Sequence, residues 1–336
     1  MPKIKLWIFL IFVNLSFAQQ SDFSHIDFSK ADNIAKTIKS KRLYELHKLT
    51  YSLTKNLNTD IEKFRAIYIW ICNNIANDFG LYSLNEKKRK RFLKDSVKLK
   101  KWNSKFKKKL FKKLLKRKRT ICTGYAYLLK EMSAIVGIES KMINGIGRTS
   151  SVDLSGLAMP NHTWNAVKLN DKWYLCDPTW ATGISFPEEG TFKFMYNEGY
   201  FLTDPKLFFL NHFPLEKKYT LLDEKTISFK GFKEAPLLYG DAYTVLKRHI
   251  FPGKMHHNLN KNDTFSFKYQ LIKKTIPNKV KLVIDSGTLE RTIQPKVDIQ
   301  NEYLTVQHTF KTKGFFDVHL YIEKKLIATY TFNIEN

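Results

Sequence analysis

Residues 119–183 read RTICTGYAYLLKEMSAIVGIESKMINGIGRTSSVDLSGLAMPNHTWNAVKLNDKWYLCDPTWATG. After Cys122, the residues Ala126, Leu129, Met132 or Ser133, and Val136 recur at helical spacing before Gly137. The spacing predicts a helix that starts at or near the cysteine. Residues 141–147 read as a strand, and residues 148–160, rich in Ser, Gly and Pro, as a surface loop. Two further strands, 162–169 and 172–177, flank Asn170-Asp171, a pair suited to a two-residue hairpin turn. With Leu169 opposite Lys172, His162 falls opposite Thr179, and Asp177 lies diagonal to His162 on the same face. Diagonal Cβ atoms are roughly 7 Å apart, a gap two side chains close with a hydrogen bond.

Cys122, His162 and Asp177 are the residue types that a thiol nucleophile, its base and the base's orienting acid require. A thiolate at Cys122 attacks a carbonyl, His162 moves the proton, and Asp177 holds the imidazole in the productive tautomer. The positive end of the cysteine helix stabilises a thiolate, and the Arg117-Lys118-Arg119 run is expected to act in the same direction. Any chain of this length contains some Cys, His and Asp, and a lone Cys at a helix start is more often structural than reactive. Cys176 is expected on the opposite strand face, and Trp164, Trp173 and Trp180 as packing around the His–Asp pair. Trp180 is also placed to shield that pair, and His212 reads as structural.

Working outward, 336 residues make two domains a fair expectation. The 43% hydrophobic and 14% aromatic content suits a large buried interior. The formal charge of +26 is concentrated: residues 87–119 hold nineteen Lys and Arg against one acid, Asp95. That stretch supplies +18 and Lys3 and Lys5 another +2, leaving +6 elsewhere. Leu93, Val97, Trp102, Phe106, Leu110 and Leu114 keep helical spacing between the lysines, so residues 81–119 read as a basic amphipathic helix or pair of helices. Its face either packs on the core beneath solvated charge or meets a polyanion or an anionic membrane surface. No nucleic-acid fold signature accompanies it, and no nucleic-acid partner is expected.

Lys3 and Lys5, an apolar run over 6–13, and Ser16-Phe17-Ala18 predict a secretory leader over residues 1–18, cleaved after Ala18. The mature protein is then exported, periplasmic or extracellular. Three cysteines, Cys72, Cys122 and Cys176, are too few for a disulfide framework, although a Cys72–Cys176 bridge is conceivable. Their spacings match no zinc pattern, and no Gly-rich phosphate loop or EF-hand loop occurs. Neither metal nor cofactor is expected.

Residues 19–40 read as a polar, extended lead-in. Leu43, Leu46, Leu49 and Leu53 predict an amphipathic helix over 41–56. Thr59 with Glu62 forms a capping box ahead of a second helix to about Asn77, with Ile61, Phe64, Tyr68, Ile71 and Ile75 on one face and Cys72 a small buried thiol. Residues 184–218 are aromatic and irregular, with a short helix at 207–211. From about Thr226, alternating runs at 264–271, 280–284, 303–310 and a hairpin over 315–334 predict a β-sandwich covering 226–336.

Three blocks, TICTGYAYLLKEM (120–132), NHTWNAVKLNDKWY (161–174) and CDPTWATG (176–183), resemble the motifs of the transglutaminase-like superfamily, whose members carry a papain-like Cys–His–Asp site. EKFRAIYIWICNNI (62–75), YFLTDP (200–205) and NHFP (211–214) resemble bacterial members and the kyphoscoliosis peptidase group. The resemblance covers residues 41–218. It implies an α+β fold: N-terminal helices, a nucleophile helix and an antiparallel sheet, with the basic stretch 81–119 as an insertion; the sandwich that follows, expected to be immunoglobulin-like, is read from its strand pattern and lies outside the resemblance. It also implies that Cys122 is the nucleophile, His162 the base and Asp177 the orienting acid, acting on a protein or peptide substrate. Thr123 stands where animal crosslinking transglutaminases have Trp, and no acidic calcium loop is present. Hydrolysis of peptide or isopeptide bonds is therefore the leading expectation, with a non-catalytic envelope-binding scaffold or a glutamine acyltransferase as alternatives.

Overall fold

The computed structural model describes residues 20–39, 43–150, 152, 154 and 159–336; the leader expected over 1–18 lies outside them. Its helices gather around one that is buried on nearly every side. Helices α1 (Ser29–Thr37), α2 (Leu46–Thr54) and α3 (Asp60–Asn74) come first, and ten of α3's fifteen residues are buried. The capping box at Thr59 and Glu62 starts α3 as expected. Its burial is not confined to one face, because α1 and α2 pack on it from outside.

The extended lead-in expected over 19–40 is corrected by α1 and a 3-10 turn at Gln20–Phe23. Only Ala31 and Ala35 of α1 are buried. Two alanines carry little apolar signal, so the helix reads as polar. What holds it is Arg65 of α3, whose buried guanidinium donates to both carboxylate oxygens of Asp32 and of Glu198. A planar fork suits two carboxylates at once.

After a two-residue strand β1 (Ala76–Asn77), the basic stretch folds as a helix pair, α4 (Phe79–Arg91) and α5 (Ser96–Arg117). Asp78 and Asp95 cap their N-termini by accepting from Leu81 and Lys98 amides. Phe106, Leu110 and Leu114 of α5 are buried, whereas Leu93 and Val97 face solvent. The apolar stripe is thus shorter than its spacing suggests, because the turn between the helices lifts its first two members off the core. Strand β2 (Arg119–Thr120) pairs parallel with β1 and leads into α6 (Cys122–Ile135).

Helix α6 packs on an antiparallel sheet ordered β5-β4-β3-β8: β3 (Ser140–Gly147), β4 (His162–Leu169), β5 (Lys172–Cys176) and β8 (His212–Pro214). Between β5 and β8 lie α7 (Pro178–Thr182), a hairpin of β6 (Gly183–Phe186) and β7 (Thr191–Phe194), and α8 (Pro205–Phe208). The Asn170-Asp171 turn forms with both residues at positive φ, 47° and 61°, and pairs Leu169 with Lys172. The short helix expected at 207–211 starts earlier, because Asp204 caps it and Pro205 occupies its first turn.

The C-terminal part is sheet-rich. It opens with α9 (Phe229–Glu234), β9 (Leu237–Leu238) and α10 (Ala242–Val245). The strands that follow are β10 (Leu246–Phe251), β11 (His256–Asn260), β12 (Thr264–Leu271), β13 (Val280–Asp285), β14 (Glu290–Ile293), β15 (Lys296–Gln300), β16 (Tyr303–Thr309), β17 (Gly314–Ile322) and β18 (Lys325–Glu335). They form one sheet ordered β10-β12-β16-β15 and another ordered β11-β18-β17-β13-β14, with β9 on β18. Inward residues such as Phe267, Tyr269, Leu304, Val306, Val318, Leu320 and Tyr330 share one core. Strands β10, β11, β14 and β15 escape the sequence pattern because at most one residue in each is buried; even Val297 and Ile299, which alternate in β15, are only partly covered.

Candidate functional site

Cys122, His162 and Asp177 reach one point from three elements. Cys122 is the first residue of α6, where Ile121 is extended and supplies no side-chain cap. His162 is the first residue of β4. Asp177 follows the last residue of β5 and is the N-cap of α7. This differs from the expected strand to 177: the β4–β5 ladder ends at Asn165 opposite Cys176, and Pro178 turns the chain into α7. The diagonal meeting survives because the cap holds Asp177 facing His162. Asn165 Nδ2 donates to the Ala126 carbonyl at 3.0 Å, tying β4 to α6 and so fixing histidine relative to cysteine.

His162 Nε2 lies 2.6 Å from Asp177 Oδ2. An ionised carboxylate only accepts, so Nε2 carries the hydrogen and Nδ1 is left for the Cys122 thiol, which hydrogen-bonds the ring. Asp177 is fully buried, yet its carboxyl is held well below the usual range: burial pushes it up, and the charge and hydrogen bond of His162 and the bond from His212 prevail. Burial pushes His162 down, but the adjoining Asp177 charge and hydrogen bond lift it to about 10. For Cys122, burial again opposes the charged form, and the His162 hydrogen bond and charge leave the thiol below its ordinary value. All three shifts favour a thiolate–imidazolium–carboxylate row.

Arg117, Lys118 and Arg119 were expected to assist the thiolate. They do not rank among the chief influences on it, which are burial and the contacts of His162, Asp177 and the Thr123 amide. Arg119 instead donates to the Asn77 carbonyl. Cys72 and Cys176 are free, fully buried thiols, with no Cys72–Cys176 bridge; burial pushes both up.

Trp180 stacks on His162 with centroids 4.6 Å apart and planes 20° apart, and it covers His212 at 4.4 Å. The indole excludes water from the His–Asp bond, which a low-dielectric setting strengthens. His212, which reads as structural in the sequence, has a further part. It is buried and packed on Phe208, and its Nε2 is 3.2 Å from Asp177 Oδ2, which makes it a second donor to the acid. Burial holds His212 down at about 4, so it serves as a neutral donor. The NHFP block carried the signal, but spacing alone assigned it no partner.

Asn161 and Gly147 were also not singled out. Asn161 clips β3, accepting from the Gly147 amide at 2.8 Å and donating to the Gly147 carbonyl at 2.9 Å. A Cβ at Gly147 would sit 2.8 Å from His162 Cβ and 2.9 Å from its Cγ, closer than side chains tolerate. Gly147→Ala is therefore expected to displace the imidazole and lower turnover about 10²-fold with little change in KM. Steady-state kinetics check this, and wild-type turnover would refute the packing argument.

His162, Asp177 and His212 are also the one group among the described residues whose ligand atoms lie close enough for a metal ion, within 4.8 Å. Those atoms already pair with one another. An ion bonded at roughly 2.0 Å to both nitrogen and oxygen would hold them farther apart than 2.6 Å, so this geometry is hydrogen bonding.

A nucleophile-type cysteine opening a helix, packed on an antiparallel sheet that presents a hydrogen-bonded His–Asp pair, defines the class of Cys–His–Asp folds. Within that class, residues 47–178 match the family model of the transglutaminase-like superfamily. Human kyphoscoliosis peptidase is 34% identical over 199 residues, which is 58% of this chain and 27% of that protein. Hillarin of Drosophila melanogaster is 22% identical over 227 residues, 63% of this chain and 25% of hillarin. The chain thus spans about a quarter of the length of these relatives. A solved structure described as a putative protease from Parabacteroides distasonis is 11% identical and covers 89% of this chain and 52% of its own. Its TM-score of 0.27 is too low to bear on the argument.

Proposed function

We propose that the chain is an exported, cysteine-dependent hydrolase of peptide or isopeptide bonds in protein substrates. One observation carries the reading: a thiol held below its ordinary pKa by a histidine that a buried carboxylate keeps protonated. The likeness to a protein named a peptidase points the same way.

In this mechanism Cys122 Sγ attacks the carbonyl carbon, and first-turn amides of α6 stabilise the oxyanion. The His162 Nδ1 proton passes to the leaving amine as the C–N bond breaks, giving a thioester. His162, now neutral, takes a proton from water, whose oxygen attacks the thioester; the acid is released and the thiolate returns. Asp177 stays ionised throughout and keeps Nε2 protonated, with His212 as its second donor.

The test is the pH dependence of Cys122 alkylation by iodoacetamide. A depressed thiol is deprotonated below its unperturbed value of about 8.5, and His162 holds its charge up to about 10. The rate is expected to rise at lower pH than for an ordinary thiol and to hold its plateau to about pH 10. A thiol that labels only above about pH 8.5 would sink the reading.

A further inference from the structure

Two clefts meet at Cys122 and His162 and share Phe79, Tyr82, Ile121 and Asn161 as their common floor. A chain threaded through both presents its middle to the thiol. The two halves differ in charge. The smaller, about 550 Å³, is walled by the β6–β7 hairpin and residues 237–241, with Arg148 and Asp241 as its charged side chains. Both are committed inward: Arg148 donates to the Phe232 and Ala235 carbonyls, and Asp241 accepts from Asn197. That half offers a passing chain no net charge.

The larger half, about 880 Å³, runs between the α4–α5 pair and the β3–β4 face, and its charged lining is Arg89, Lys90 and Lys107 against Glu86 alone. Lys90 reaches Glu86, and Arg89 donates to the carbonyl of Pro160, another lining residue, at 3.0 Å, which holds its guanidinium at the cleft. Further out, α5 exposes Lys105, Lys108, Lys109 and Lys112. Between residues 78 and 119 the acids are Asp78, Glu86 and Asp95, each paired with a lysine, against nineteen cations.

We propose that this half of the cleft is a subsite for acidic polypeptide, so that substrates carry Asp or Glu on one side of the bond cut and not on the other. The inference rests on the hydrolase reading above for the bond, but not for the binding. A membrane surface fits less well. The apolar face of α5 is spent inside, with Phe106 and Leu110 packed on Leu81 and Ile121 and Leu114 in the main core, leaving no continuous apolar stripe to enter lipid. The cations also line a concavity that reaches the thiol, which an extended chain can enter and a flat bilayer cannot. Opposite charge in such a cleft steers encounter and selects partners.

Two measurements separate this proposal from the hydrolase reading. In the first, Cys122 alkylation by iodoacetamide is timed with an oligo-glutamate peptide, an oligo-glutamine peptide or vesicles rich in phosphatidylglycerol. Oligo-glutamate is expected to slow labelling at least about tenfold at low salt. Protection should vanish at about 1 M NaCl, where the screening length is roughly 3 Å. The Arg89→Gln/Lys90→Gln/Lys107→Gln variant should lose it too, as should exposed Lys107→Glu alone, with Tm reporting that each is folded. Equal protection by oligo-glutamine, or protection by vesicles alone, overturns the subsite. In the second, cleavage sites in a mixed peptide pool are mapped by mass spectrometry. Asp and Glu enriched on one side support the proposal, and cleavage without enrichment overturns it. Oligo-glutamate protection with no cleavage of any peptide would leave the acidic subsite standing and overturn the hydrolase reading.

Discussion

Cys122→Ala is expected to lower kcat for amide hydrolysis by about 10⁴-fold or more, because every bond-making step runs through Sγ. The residual rate comes from what remains: amides at the start of α6, a bound substrate and a histidine still on its carboxylate. The fold is expected to lose little. Cys122 is 8% exposed, and alanine removes one sulfur while the buried His162–Asp177 pair keeps its hydrogen bond. The stability change should stay near the centre of the single-mutation range, about 1 kcal/mol. Kinetics with thermal unfolding check both halves. In the native wild type iodoacetamide should also give a single adduct, since Cys72 and Cys176 are wholly buried. Retained hydrolysis in Cys122→Ala would exclude the thiol mechanism.

Asp177→Asn is expected to cost activity and stability together. The carboxylate accepts four hydrogen bonds: Oδ1 from the Thr179 and Trp180 amides at 2.8 and 3.2 Å, and Oδ2 from His162 and His212. An amide keeps the cap to α7 through its oxygen but turns a donor toward both histidines. Each Nε2 must then accept, so the His162 ring keeps only its Nδ1 proton, becomes neutral and can no longer pair as a cation with the thiolate. A wrong tautomer of this kind lowers kcat by about 10⁴-fold in triad enzymes. Losing a buried charge partner costs about 3 kcal/mol or more. The Cys122 labelling profile should also move upward toward the ordinary thiol value of about 8.5. An unshifted profile would show that Asp177 does not act through His162. The two variants thus leave opposite signatures: one loses chemistry with the fold kept, the other loses both.

Much of this site is readable along the chain because its parts are local. A cysteine before a helical run, a histidine opening a strand and an aspartate closing the next strand sit within 56 residues. The Asn170-Asp171 turn sets the register of the two strands that carry the last two toward each other. The capping box of α3 and the strand at 264–271 are likewise local in their causes. Features that depend on distant partners were less legible. Helix α1 is held chiefly by Arg65, thirty-three residues away, and His212 reaches Asp177 across thirty-five. Leu93 and Val97 obey helical spacing and still face solvent, because periodicity records a face and not whether anything covers it.

The sequence by itself determined the residue types of the site, their order and the transglutaminase-like wording around them, since hydrogen-bonding turns and helix starts act over a few residues. Tertiary structure decided the rest. It showed that the thiol is tuned by His162 rather than by the neighbouring basic run, that a second histidine and Trp180 enclose the acid, and that the basic helices wall one half of a cleft. Electrostatic influence depends on distance and burial, and neither follows from position in the chain.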